Sequence, residues 1–196
     1  MKYQVIYADP PWKFKVWCYE TGSGRSPDQY YPTMELGDIC SLGDVIKMIS
    51  AKDCILFLWA TFPKLEEALE VIKVWGFIYK SVAFVWVKLN KSSLGIFTGL
   101  GYWTRGNVEI CLLATKGHPK RIDKSVRQLI ISPRREHSRK PDEVRDRIVQ
   151  LVGDLPRIEL FAREQVEGWD AIGYDIDGLD IKQSLEWITL KEVQNA

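Results

Sequence analysis

Residues 3–12 read Tyr3-Gln4-Val5-Ile6-Tyr7-Ala8-Asp9-Pro10-Pro11-Trp12. The stretch Tyr3–Ala8 reads as a buried strand, and the two prolines decide where it stops. Both lack an N–H and both fix φ, so the chain can neither extend the ladder nor enter a helix there. The strand therefore ends at Asp9. It presents a carboxylate, two carbonyls and a large aromatic plane at its C-terminal end. In open α/β sheets that edge is where ligands bind.

Outward from this strand the chain alternates. A long loop rich in aromatics, Gly and Ser runs from Asp9 to about Pro32, and a helix is expected near Leu42–Ile49. Cys54–Trp59 is a second buried strand. Lys64–Trp75 carries Leu65, Ala68, Leu69, Ile72 and Trp75 at helical spacing and is closed by Gly76. Tyr79–Lys88 and Val108–Thr115 are strands separated by a second Gly/Ser-rich loop, Leu89–Arg105, and Val126–Ile131 is a further candidate strand. Pro141–Val152 is a helix with Pro141 at its start and Asp142 and Glu143 in its first turn. Arg157–Phe161 is the last buried strand and Gln183–Val193 a terminal helix. The alternation implies an α/β fold, a mostly parallel, doubly wound twisted sheet with helices on both faces. No linker divides the 196 residues, which are expected to form one domain with a helical extension near 180–196.

Composition narrows the function classes. The chain is 46% hydrophobic, yet no apolar run approaches the ~20 residues of a membrane span. With no visible signal peptide and four cysteines lacking Cys-x-x-Cys spacing, a reducing cytoplasmic setting is expected. The two histidines, His118 and His137, exclude a multi-histidine metal site. Net charge is only +1, but it is unevenly spread. Lys116–Arg147 holds 11 basic and 5 acidic residues, whereas 148–196 holds 4 basic and 10 acidic. The basic segment is a candidate phosphate-binding surface or a solvated loop paired with the acidic tail.

The groups at the end of the first strand suit an exocyclic amine on a flat base. Asp9 can accept one of its N–H groups and the Pro10 carbonyl the other, which turns the nitrogen lone pair toward an electrophile. Trp12 offers a stacking plane, a contact worth about 1–3 kcal/mol per base. The alternative is a tight turn with Trp12 as a core aromatic. The chain carries no G-x-G-x-x-G fingerprint, which argues against a dinucleotide cofactor.

Asp9-Pro10-Pro11-Trp12 resembles the signature of amino-methyltransferases that methylate adenine at its 6-amino group. The resemblance runs from about Val5 to about Asp175, through Tyr31-Pro32-Thr33-Met34, Leu56-Phe57-Leu58-Trp59, Val85-Trp86-Val87-Lys88, Arg139-Lys140-Pro141-Asp142-Glu143 and Ile158-Glu159-Leu160-Phe161. The chain is similar to the family that includes the catalytic subunit of the mRNA adenine methyltransferase complex, and resembles its small bacterial or phage DNA-modifying members. The resemblance implies a Rossmann-like methyltransferase fold and S-adenosylmethionine as methyl donor. It places Asp9, Pro10, Pro11 and Trp12 in the catalytic motif. It also implies that Glu159 and Arg163 contact the cofactor's ribose, that Lys140 binds its carboxylate, and that Asp9 lies close to both ligands. Where family members carry Gly-Asn followed by Glu or Gln, this chain has Gly173-Tyr174-Asp175, so Tyr174 can stack and Asp175 can accept from a hydroxyl.

On the substrate side, Trp12 and Tyr31 are expected beside the base, and Arg134, Arg135, His137 and Arg139 at neighbouring phosphates. Three functions stay open at this stage. They are methylation of DNA, methylation of RNA, and a non-catalytic nucleic-acid-binding subunit that supports an active partner. A homodimer or a heterodimer is compatible with each.

Overall fold

The computed structural model describes residues 2–14, 32–93, 95–101, 103–135 and 139–194. Seven strands form one sheet: β1 (Tyr3–Ala8), β2 (Ser50–Ala60), β3 (Ile78–Leu89), β4 (Val108–Lys116), β5 (Leu129–Pro133), β6 (Arg157–Leu160) and β7 (Asp170–Ile172). Their order is β5-β3-β4-β2-β1-β6-β7. All neighbours run parallel except at β4, which is antiparallel to both β2 and β3. The sheet is thus the expected mostly parallel, Rossmann-like one. β1 sits between β2 and β6, with Tyr7 opposite Phe57 on one side and Glu159 on the other. Chain progression moves away from β1 in one direction up to β5 and in the other from β6 onward, so β1 lies at the switch point of the winding.

Alternation along the central strands feeds two cores. Ile6, Ala8, Leu56, Leu58, Leu112, Ile158 and Leu160 face one side. There they meet α1 (Leu36–Ser41), α2 (Gly43–Ile49), α3 (Leu65–Val74) and α6 (Ile181–Gln194) through Ile39, Ile46, Ile49, Ala68, Ile72 and Leu185. Val5, Tyr7, Phe57, Trp59, Phe84 and Trp86 face the other side and meet Val144, Ile148 and Val152 of α4 (Glu143–Val152). A short helix, α5 (Tyr174–Asp177), follows β7. No described helix is long and apolar enough to cross a membrane.

Most elements lie where the sequence places them, with ends shifted by a few residues. Gly76 ends α3 as expected: it takes φ +86° and, with Phe77, donates to carbonyls of the last turn. The candidate strand at Val126–Ile131 is displaced to Leu129–Pro133, because register against Val85–Leu89 of β3 selects the pairing segment. α1, β7 and α5, absent from the sequence reading, are pieces of six, three and four residues, too short to show a period.

Candidate active site

The carboxyl ends of the parallel strands open onto one cleft of about 1250 Å³. Asp9 lies just past β1, Thr61 past β2, Phe161-Ala162-Arg163 past β6 and Gly173-Tyr174-Asp175 past β7, and all of them line it. Because β4 runs the other way, its start reaches the same edge: Ile110 pairs with Ala60, and Glu109 lies beyond it on the cleft wall. The floor is tightly built. Phe161 holds φ +61°, a conformation rare for a bulky side chain and one that clusters at functional sites. A Cβ at Gly173 would stand 2.5 Å from the Ala162 carbonyl oxygen, so only glycine lets the ends of β6 and β7 approach this closely.

The motif after β1 is more engaged than its sequence suggests. The Pro10 carbonyl is not free: it accepts from the Trp12 N–H at 2.9 Å, which leaves one lone pair. The Pro11 carbonyl accepts from Met34 at 2.8 Å, and Met34 accepts from Lys13 at 3.2 Å. This bridge ties Pro11–Lys13 to the far end of the long loop. Trp12 is buried, and its indole N–H donates to the Trp59 carbonyl at 3.0 Å. The indole is therefore a core brace that also lines the cleft.

Charge is arranged as an alternating row. Lys140 Nζ lies 2.6 Å from Asp9 Oδ2 and 3.2 Å from Glu109 Oε2, and Lys88 pairs with the other oxygen of Glu109. Lys140 also sits over the Trp59 ring, 5.4 Å from its centroid. Burial raises the Asp9 carboxyl above the usual carboxylate range; Lys140 offsets part of this and Glu109 adds to it. Burial would raise Glu109 too, but Lys140 and Lys88 together outweigh it and hold that carboxyl below its ordinary value. Burial would lower the Lys140 ammonium, yet Asp9 and Glu109 carry it well above a lysine's ordinary value. The row balances two cations with two carboxylates, and Lys140 stays charged.

The other expected cofactor residues divide. Arg163, Tyr174 and Asp175 line the cleft, Tyr174 being exposed and available for stacking. Glu159 does not line it. Its carboxylate is gripped by Arg145, with contacts of 2.7 and 3.1 Å. The cause is α4, which packs over this face of the sheet and lays Arg145 against the strand; a buried carboxylate requires such a counter-charge. Arg135 and Arg139 pair with Asp142 at 2.6 and 3.1 Å, and Arg139 also pairs with Glu164. Arg134 instead stacks on the Phe97 ring. Tyr31 and His137 lie outside the described residues. Glu109 and Thr61 were not singled out in the sequence, and Lys88 entered only as the end of Val85-Trp86-Val87-Lys88. For Glu109 the signal was there, a lone carboxylate inside the apolar run Val108–Ala114.

A Rossmann-like sheet whose switch-point strand ends in Asp-Pro-Pro-Trp, above a cleft large enough for two ligands, defines a methyltransferase acting on an amino group. The chain belongs to the MT-A70 family, whose profile matches residues 3–175. It is 37% identical to the Type II methyltransferase M.MunI of a Mycoplasma species, over 89% of this chain and 78% of that protein. It is 32% identical to the human N(6)-adenosine-methyltransferase catalytic subunit METTL3 and 33% to a putative N(6)-adenosine-methyltransferase MT-A70-like protein of Medicago truncatula. Those two alignments take in 92% and 91% of this chain but only 29% and 27% of the longer relatives.

Proposed function

We propose that this protein transfers a methyl group from S-adenosylmethionine to the 6-amino group of adenine in DNA. The observation that carries the reading is the Asp9 carboxylate at the cleft, beside the one lone pair left on the Pro10 carbonyl. The preference for DNA follows the likeness to M.MunI, which exceeds the likeness to METTL3 in identity and in the share of the relative covered.

The cleft suits the cofactor. Its wall offers a cation for a carboxylate in Arg163, acceptors for hydroxyls and an ammonium in Asp175 and Asp180, and the exposed Tyr174 ring for a base. Thr61 Oγ1 is buried at this wall and has no hydrogen-bond partner among the described residues, an unmet polar atom of the kind a ligand satisfies. When bound, S-adenosylmethionine supplies a methyl group activated by a sulfonium. Asp9 and the Pro10 carbonyl accept the two N–H groups of the adenine amine, orient its lone pair and stabilise positive charge growing on nitrogen. Lys140 fixes the Asp9 carboxylate and favours its ionised form. Glu159, clamped by Arg145, stiffens the end of β6. The proton leaves to water after transfer, so no histidine is required.

The test is methyl transfer from labelled S-adenosylmethionine to duplex DNA, single-stranded DNA and RNA, with nucleoside products identified by mass. N6-methyladenine in DNA, absent with Asp9→Ala, is the expected result. Product in RNA alone moves the substrate to RNA, and no product on any polymer overturns the enzymatic reading in favour of a binding subunit.

A further inference from the structure

Beside the cleft lies a second recess of about 370 Å³, lined by Lys91, Arg134, Arg135 and Arg139. Arg139 lines both cavities. The recess forms where the segment after β3 meets the segment after β5, joined by the Arg134 N–H donating to the Leu89 carbonyl at 3.0 Å. Arg134 is held flat. Its guanidinium carbon lies 4.0 Å from the centroid of the Phe97 ring, and Phe97 is anchored by its N–H on the Lys88 carbonyl at 2.8 Å.

Four cations converge here, and Asp142 and Glu164 are acids paired with them among the described residues. Arg135 and Arg139 share Asp142, and Arg139 reaches Glu164. Arg134 has no carboxylate partner among the described residues. Convergent cationic side chains exclude a metal ion and an apolar ligand, and planar guanidinium forks match phosphate oxygens. Stacking on Phe97 fixes Arg134 in advance, so less freedom is lost when it binds.

We propose that this recess holds a backbone phosphate of the substrate strand, next to the nucleotide whose base enters the cleft. The proposal rests on the nucleic-acid reading above. It adds Lys91 and Phe97, which neither the charge pattern nor the family motifs single out, and it gives Arg139 a place at the junction of the two cavities. The contact supplies affinity and register without reading sequence.

The experiment compares the full chain with the Lys91→Ala/Arg134→Ala double variant. A Lys73→Ala/Lys80→Ala double variant of two exposed cations outside the recess and outside the basic segment serves as control. Binding of a fluorescein-labelled oligodeoxynucleotide is followed by anisotropy across a salt series, beside KM and kcat for methyl transfer and calorimetric binding of S-adenosylmethionine. The recess variant is expected to raise KM for the oligonucleotide and to flatten the slope of log K against log salt by about 1 to 2. Cofactor binding and kcat at saturating oligonucleotide are expected to hold. An unchanged slope and KM, with methyl transfer intact, overturns the recess and leaves the enzymatic reading standing. An equal loss in the control variant also overturns it. A variant that loses inhibition by inorganic phosphate while keeping its oligonucleotide KM overturns the assignment to a strand. Recess-dependent binding by a wild type that transfers no methyl group supports the recess and overturns only the methylation reading.

Discussion

In its ionised form Asp9 stabilises positive charge on the amine, and burial opposes that ionisation. Burial lifts its carboxyl above the ordinary range, and only part of that is recovered from Lys140. A raised value means that protonation begins at higher pH than for a free aspartate, whose value is about 3.9. The acid limb of kcat/KM is therefore expected to fall at a pH above that figure, and a pH–rate profile on an uncharged adenine nucleoside analogue would measure it. Asp9→Asn keeps the shape but turns one face of the group into a donor; kcat should drop by about a hundredfold or more, with the circular dichroism spectrum unchanged. Glu109 behaves in the opposite sense. Its carboxyl is held below the ordinary value by Lys140 and Lys88, so the stability it contributes is present above its unfolded-state value and lost as pH falls through the folded one. Glu109→Gln leaves two buried ammonium groups with a single carboxylate, and removing one partner of a buried pair costs about 3 kcal/mol or more. Urea unfolding at neutral pH should show that loss, and the difference from wild type should shrink in acid.

At the scale of elements, the cleft depends on how closely the ends of β6 and β7 meet. Gly173 permits the approach, and the Ala162 N–H closes it by donating to the Ile172 carbonyl at 2.9 Å. In Gly173→Ala, the new methyl group must push these ends apart. Arg163, Tyr174 and Asp175 all follow that contact, so S-adenosylmethionine affinity measured by calorimetry is expected to fall at least about tenfold, roughly 1.4 kcal/mol. Thermal stability should change little, because β7 is a three-residue edge strand. An unaltered affinity would show that the two ends can part without disturbing the cleft. The same junction marks where sequence reading stops. β1, β2, β3, β4, α3 and α4 announce themselves by apolar runs, helical spacing and the stops at Pro10 and Gly76. β7 and α5 are too short to carry a pattern and exist because neighbouring strands and Gly173 hold them. Asp9 was legible because two prolines isolate it. The row from Lys88 to Asp9 was not, since β4 reaches the shared edge only by running antiparallel, and no local pattern reports that.

For the whole molecule, the question is how a chain with net charge +1 reaches an adenine inside a duplex. Extruding a paired base costs a few kcal/mol, and least where the base is mismatched or already unpaired. The proteins that do this readily insert an apolar wedge or hold the strand over many phosphates. Among the described residues, the cations facing the cleft are largely committed to acids: Lys140 to Asp9 and Glu109, Arg139 to Asp142 and Glu164. Arg135 shares Asp142 as well. Beside the cleft, the recess adds a site for one phosphate. The recess by itself contributes little energy toward opening a base pair. It follows that the protein should methylate an adenine opposite a mismatch, or in a single strand, faster than the same adenine in a fully paired duplex, with a ratio of kcat/KM of about tenfold or more. Rates on three oligonucleotides that differ only in the base opposite the target would measure it. The advantage should grow as salt is raised, because screening weakens the phosphate contacts that oppose the cost of flipping. Equal rates on paired and unpaired targets would mean that duplex opening draws on contacts outside the cleft and the recess.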